Sequence, residues 1–276
     1  MIFEPINEDK AKDQVKIDYQ KIKKALESSY LPLFFTYVGP FPEYLNYLTE
    51  QLVPLLQNYK FNMLIRETEE KLSPLIREGL MKSEEINEWL ERYRHSPFFY
   101  NFQTDLSKIF SVNLKLAFIF VALREALKGW AIAAKKLSAV NRSGQSSANS
   151  FQKVKDFIQE DTSLLAVSQN QISDADRKID QSGKIEKDLL PRYIFLCHQE
   201  YNQLMKTERH LILRVGIEKL ILSSLPLLPE KIVSPINVFY NLTIKYEEFP
   251  ELLYLMYEHF PTYAVQKMMF SGFMKE

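Results

Sequence analysis

Two aspartates have the type of side chain that could carry out hydrolysis in this chain. A general base that deprotonates water needs a carboxylate or an imidazole, shielded from solvent and close to the reacting carbon. Asp180 and Asp188 meet this requirement by residue type. Both lie in the polar segment 174–188, where a carboxylate is commonly a solvated surface charge. The residues alone leave both interpretations open.

Asn113 has an amide that could hydrogen-bond the carboxylate of a substrate. It stands just before the apolar run 116–123, LAFIFVAL. The alternative is a structural amide, either at the N-cap of a helix or buried with its hydrogen bonds satisfied internally. A binding role and a structural role both fit this position.

An aromatic patch separates two helical patterns near the start of the chain. Segment 30–42 reads YLPLFFTYVGPFP, in which three prolines and a glycine interrupt the helices. Side chains can converge where helices end, so the aromatic residues could line a pocket. The candidates are Tyr30, Phe34, Phe35 and Tyr37. Ordinary core packing is the alternative interpretation.

Other catalytic signatures are missing from the sequence. The scattered histidines have no metal-ligand spacing; they are His95, His198, His210 and His259. No GxSxG elbow, P-loop or GxGxxG motif occurs, so we expect neither a cofactor nor a metal. Cys197 is the single cysteine, which excludes an internal disulfide or a CxxC pair. Its apolar helical surroundings predict a buried, inert thiol.

Composition favours a helical protein of one large domain or two ordinary ones. The chain has 276 residues, of which 46% are hydrophobic and only 7 are glycine. Its 35 basic and 35 acidic residues cancel, so a nucleic-acid partner is not expected. The run 116–123 is far shorter than the roughly 20 residues that span a membrane. A polar N-terminal segment argues against a signal peptide. We therefore expect a soluble, cytoplasmic protein that does not contact membranes.

Hydrophobic periodicity predicts helices throughout, and period-2 alternation typical of strands is not found. The first two helices bury one face each, namely Tyr19, Ile22, Ala25 and Leu26, then Tyr44, Leu45, Leu48, Leu52 and Leu55. A third runs from about 61 to Gly79, where glycine suits a left-handed cap. Ser83 is the predicted N-cap of the next.

The second part of the chain continues the helical pattern. Segment 98–102 is predicted as a bridge, followed by a largely apolar helix over 106–128. Helical order then resumes at Pro191, with a break near Lys206. Two final helices begin at Ile236 and Pro250, and Pro261 predicts a kink.

An internal repeat is suggested by aligning FPEYLNYL, from Phe41, with LPRYIFLC, from Leu190. A match to FPELLYLM, from Phe249, leaves too little chain for a second copy. The preferred alignment predicts repeats at 1–140 and 151–276, joined by the serine-rich linker 141–150. Such repeats would pack as one globular pseudo-dimer, whose facing surfaces can build a pocket.

The segment YQKIKKALESSYLPLFFTYVGPFPEYL, from Tyr19, resembles the opening of the group I (DehI-type) 2-haloacid dehalogenases. The shared features are a Tyr-x-x-Ile-basic helix, an aromatic break and a Phe-Pro-x-Tyr-Leu helix start. IFSVNLKLAFIFVALREALKG, from Ile109, resembles that family's Asn-Pro-Lys-Tyr motif and apolar helix. LYLMYEHFPTYAVQKMM, from Leu253, resembles its last helix.

The resemblance implies an all-α fold of two tandem repeats with an active site between them. In that family an aspartate activates water, which attacks the substrate Cα and displaces halide. Tyr30 and Leu33 match an aromatic and an apolar pocket residue, and Asn113 and Lys115 match the Asn and Lys of the motif. The family's aspartate would fall near 182–183, where the sequence has Ser and Gly, so a gap is needed to bring Asp180 into place.

Two functions follow as expectations. One is a hydrolase that removes halide from a small 2-haloacid, using Asp180 or Asp188 and a pocket of Tyr30, Leu33, Phe34, Asn113 and Lys115. The other is a catalytically silent protein of the same fold that binds a small acid or a protein partner. A small carboxylic-acid ligand is expected in the first case, and the chain would act alone or as a homodimer.

Overall fold

The computed structural model describes residues 3–141 and 183–276, with side chains over 3–128, 189–235 and 237–276. Every regular element in these ranges is helical, and none of the described residues forms a strand. The predicted all-α class is therefore confirmed.

The helices follow one another with short connections. They are α1 (Asp13–Leu26), α2 (Leu33–Val38), α3 (Pro42–Gln57), α4 (Tyr59–Gly79), α5 (Glu84–Tyr93), α6 (Pro97–Asn141), α7 (Gly183–Leu204), α8 (Glu208–Ser224), α9 (Ile236–Lys245), α10 (Phe249–Tyr254) and α11 (Phe260–Met274). A 3-10 turn, Leu225–Leu227, follows α8, and a π-helical turn, Leu255–His259, connects α10 to α11.

The described residues form two compact units, each assembled from separate stretches of chain. Unit 1 comprises 3–72, 109–141 and 216–268. Unit 2 comprises 73–108, 183–215 and 269–276. The proposed repeats at 1–140 and 151–276 stay a prediction, and most of the 141–150 linker lies outside the described residues.

In unit 1, α1 packs against α3 through the faces that periodicity predicts. The buried side chains of these faces include Tyr19, Ile22, Ala25 and Leu26 on α1, and Tyr44, Leu45, Leu48, Leu52 and Leu55 on α3. The N-terminal segment joins this core because the Tyr19 hydroxyl donates to the carbonyl of Ile6 at 2.8 Å. The Ile6 amide in turn donates to the carbonyl of Thr36 at 2.9 Å.

Unit 2 is organised around the aromatic side chain of Tyr193. Its ring lies 4.7 Å from that of Trp89 and 5.4 Å from that of Phe99, between centroids. Its hydroxyl donates to the carbonyl of Met274 at 2.8 Å. Lys82 similarly donates to the carbonyl of Lys275 at 2.8 Å. Side chains thus satisfy carbonyls at the C-terminal end of α11, which have no partner within the helix.

Helix α6 is longer than predicted. Segment 98–102 forms part of it, because Pro97 fits the first helical turn and Phe99, Phe102 and Leu106 extend a buried stripe. Its middle is buried all round, as its apolar composition predicts: no residue over 112–123 is more than 8% exposed. The portion Pro97–Lys128 is long and apolar enough to cross a membrane, but 78% of its most apolar window is buried. Such burial is typical of the core helix of a soluble protein.

Several predicted helix boundaries are confirmed and two details are wrong. Ser83 caps α5 by accepting from the amide of Ile86, and α7 and α8 separate around Lys206. Pro191 lies inside α7 rather than at its start. Gly79 ends α4 without a left-handed conformation. Its role is steric instead, because a Cβ there would lie 2.5 Å from Leu213 Cδ2.

Candidate functional site

Phe34 lies at the centre of an aromatic cluster in unit 1. Its side chain is fully buried, and its ring centroid lies 4.5 Å from that of Phe120 and 5.2 Å from that of Phe260. Helices α2, α6 and α11 therefore meet at this ring. Phe35 and Tyr37 are buried beside it and contact Phe120 and Phe260 respectively. The aromatic break thus contributes to the core of the unit.

The turn that precedes α2 positions Tyr30 and Leu33, both of which are half-buried. Glu27 ends α1 in a left-handed conformation, with φ of 56°. Ser28 then stabilises the turn, because its hydroxyl donates to the carbonyl of Tyr30 at 2.7 Å and accepts from the Tyr30 amide at 3.3 Å. Tyr30 and Leu33 consequently stand at the margin of the unit 1 core.

Asn113 lies well inside α6, so it is not an N-cap. Its side chain is only 3% exposed. Seven residues bring an α-helix back to nearly the same face, so Asn113 lies on the side of α6 that carries Phe120. Phe120 packs on Phe34, so Asn113 lies on the side of α6 that faces Phe34.

Lys115 is buried on a different face of α6. Two residues rotate an α-helix by about 200°, so Lys115 does not share the face of Asn113. The side chain is 7% exposed, and no described residue forms an ion pair or a hydrogen bond with it. Burial lowers the pKa of Lys115, and the negative charge of Glu27 acts in the opposite direction. Asn113 and Lys115, which the motif resemblance assigns to one pocket, therefore lie on different faces of α6.

Lys267 is a buried cation that the sequence analysis did not select. It is 4% exposed, and its Nζ lies 5.4 Å from the centroid of the Phe34 ring. This distance is typical of a cation–π interaction. Lys267 follows Phe260 by seven residues, so both present one face of α11 to Phe34. The lysine within the largely apolar run AVQKMMF could have indicated it.

The π-helical turn places His259 between two tyrosines of unit 1. The ring of His259 stacks on that of Tyr263 at 6.2 Å and meets that of Tyr254 edge-on at 5.4 Å. Burial lowers the pKa of His259, against the opposing charge of Glu258. Burial also raises the pKa of Tyr263 to about 12. Both pKa changes keep the side chains of His259 and Tyr263 neutral. Neutral rings are compatible with the aromatic contacts at this turn.

The two predicted catalytic aspartates are not placed by the structure. Asp180 lies outside the described residues. Asp188 belongs to α7, but its side chain is likewise outside the described part. Their assignment as general bases stays a prediction.

Cys197 has the environment of an inert thiol in unit 2. Its side chain is buried, and burial raises the pKa of the thiol to about 12, despite opposing effects of Tyr193 and Lys82. A thiolate is the reactive form of cysteine, so this position disfavours nucleophilic chemistry. The described side chains also contain no group of three or more histidine, cysteine, aspartate and glutamate residues able to hold a metal.

Comparison with known proteins adds no family assignment. Neither a protein-family model, nor a curated protein, nor a solved structure matches the chain. The function must therefore be argued from the chemistry of the described side chains.

Proposed function

We propose that unit 1 binds a small, hydrophobic carboxylic acid, with the Lys115 ammonium pairing with the carboxylate. The observation that supports this proposal is the burial of Lys115 without an ion pair to any described residue. Removing an ammonium from water is unfavourable unless another charge or polar group replaces the lost solvation. A carboxylate is the common biological group that does so with charge-assisted hydrogen bonds.

The surroundings of Lys115 indicate the nature of the rest of the ligand. One helical turn away on either side are Val112, Phe118 and Ile119, each at most 6% exposed. An apolar environment strengthens a charge pair because it lowers the local dielectric constant. It also favours a ligand whose remaining atoms are apolar. A short-chain aliphatic or halogenated acid combines both properties.

Replacing Lys115 with methionine should remove acid binding and leave the fold intact. Methionine preserves the apolar stem of the side chain and removes the charge, so the affinity for propanoate or 2-chloropropanoate should fall at least about tenfold. Isothermal titration calorimetry of the wild type and the variant measures this difference. Lys128→Met is the matched control, since Lys128 is exposed on the same helix and pairs with Glu125 at 2.5 Å.

Two results would contradict the proposal. One is equal affinity of wild type and Lys115→Met for these acids. The other is an equal loss of affinity in Lys128→Met, because that would indicate a general effect of surface charge. Circular dichroism of each variant verifies that the helical content is unchanged.

A second candidate function is the hydrolytic removal of halide from a small 2-haloacid. It is favoured by the resemblance of the opening segment to the group I dehalogenases and by the burial of Asn113 on the Phe34 side of α6. In this reaction Asp180 or Asp188 takes a proton from water, the water oxygen bonds to the substrate Cα, and halide leaves with the electron pair.

Halide release from 2-chloropropanoate separates the hydrolase from a catalytically silent binder. An active enzyme should release chloride, and Asp180→Asn or Asp188→Asn should abolish the release without abolishing acid binding. If acid binds but chloride stays at the level of buffer at every pH tested, the hydrolase is excluded and the silent binder is retained.

The proposal also includes the tandem-repeat organisation of the chain. Two tandem repeats, 1–140 and 151–276, would form a pseudo-dimer in a cytoplasmic protein. The alignment of FPEYLNYL with LPRYIFLC supports this arrangement. A homodimer remains an alternative assembly, and light scattering of the purified chain measures it.

A further inference from the structure

The amine of Lys115 has the surroundings of a nucleophilic lysine. A lysine attacks carbonyl carbon only as the neutral amine, and desolvation favours that form. An ion pair would oppose it by stabilising the ammonium. Glu27 favours the ammonium through its charge but forms no ion pair with Lys115, and no other described residue forms one, whereas Lys128 on the same helix pairs with Glu125 at 2.5 Å.

Lys115 is only 7% exposed, so most of its side chain lies among neighbouring residues. The residues one turn away, Val112, Phe118 and Ile119, are apolar and buried. They would favour a carbonyl compound with an apolar substituent over a hydrated, polar one.

We propose that Lys115 is a carbonyl-condensing residue that forms an imine with small apolar aldehydes. This inference rests on the same Lys115 site as the proposed function, but it uses the neutral amine rather than the ammonium. Lys115 would therefore bind aldehydes covalently, in addition to binding acids non-covalently.

The proposed condensation is balanced without an oxidant or a reductant. The lone pair of the amine forms a bond to the carbonyl carbon, and a proton passes from nitrogen to oxygen to give a carbinolamine. The carbon–oxygen bond then breaks, water leaves with the second amine proton, and a carbon–nitrogen double bond remains. Hydrolysis reverses the sequence, so the adduct is transient unless it is reduced chemically.

Reductive trapping tests the proposal on the full-length chain. The folded protein is treated at neutral pH with benzaldehyde and cyanoborohydride, which converts an imine into a stable secondary amine, and the modified lysines are located by peptide mass spectrometry. The labelled fraction at Lys115 should exceed that at exposed Lys128 at least about fivefold. In protein unfolded by urea this preference should disappear, because both amines are then solvated.

Lys115→Arg distinguishes this inference from acid binding. Arginine keeps the positive charge but does not condense with benzaldehyde under these conditions, so the variant should bind propanoate and lose the dominant label. Equal or weaker labelling of Lys115 relative to Lys128 in the folded protein would overturn the imine proposal, even if acids bind. Strong labelling without acid binding would overturn the proposed function and leave the imine proposal standing.

Discussion

Replacing Gly39 with alanine should destabilise the protein by about 2–4 kcal/mol. A Cβ at this position would overlap the hydroxyl oxygen of Tyr19 and approach Ile6 Cβ to 3.2 Å. Tyr19 cannot easily move, because its side chain is fully buried and its hydroxyl donates to Ile6 at 2.8 Å. Gly39 has an ordinary helical φ of −52°, so the requirement for glycine is steric. Urea denaturation followed by circular dichroism measures the change in the free energy of unfolding.

Two further variants identify the cause of this loss. Gly216→Ala is the matched control: apart from the backbone of its own helix and its chain neighbours, no atom lies within 4 Å of its added Cβ, and alanine should stabilise helix α8 by up to about 1 kcal/mol. Tyr19→Phe removes the overlapping hydroxyl, so it should partly rescue Gly39→Ala in a double-mutant cycle. A Gly39→Ala protein as stable as the wild type, or strictly additive effects of Gly39→Ala and Tyr19→Phe, would contradict the steric explanation.

Acidification should destabilise the protein by about 2–3 kcal/mol through His210 alone. This side chain is 2% exposed, and its Nε2 lies 3.2 Å from the hydroxyl of Tyr201. Burial, aided by the positive charge of Arg214, lowers the pKa of His210 from its usual 6.5 to about 4. His210 also lies in the first turn of α8, where the helix dipole disfavours a cation.

The direction of the effect follows from proton binding. Below pH 6.5 the unfolded chain takes up a proton at residue 210, whereas the folded protein resists it until pH is near 4. The stabilising contribution is therefore complete above pH 6.5, falls progressively as the pH drops from 6.5 to about 4, and is fully lost below 4. His210→Gln keeps a neutral, hydrogen-bonding side chain and should lose less stability between pH 7 and pH 4.5, by about 2–3 kcal/mol.

The remaining histidines provide the comparison for this experiment. Burial lowers the pKa of His198 and His259 as well, so some acid sensitivity should persist in His210→Gln. His95→Gln replaces an exposed histidine and should behave as the wild type. An identical loss of stability in wild type and His210→Gln would show that residue 210 does not control the acid response.

Helix periodicity predicts those parts of the fold that depend on local sequence. The buried faces of α1 and α3 follow directly from apolar residues three and four apart, and Ser83 is recognised by its capping chemistry. The start of α6 was not predicted, because FFYNF shows no helix signal of its own and tertiary burial of Phe99 and Phe102 decides its conformation.

The candidate site is less accessible to sequence reasoning than the helices are. Lys115 was selected through a resemblance, but only the structure shows that its charge is buried without an ion pair among the described side chains. Lys267 was missed because its contact with Phe34 joins residues 233 positions apart in sequence. Asn113 and Lys115 are near neighbours in sequence, yet their opposite positions around α6 depend on the helix being continuous there.

The π-helical turn Leu255–His259 has a consequence for sequence comparison. Phe260 donates to the carbonyl of Leu255, five residues back, so the turn contains one residue more than an α-helix would need. A relative with an uninterrupted helix here would lack one residue between 255 and 259. Correct alignment would then require a one-residue gap at this turn, and without it the positions of Phe260 and Lys267 would be matched to the wrong neighbours.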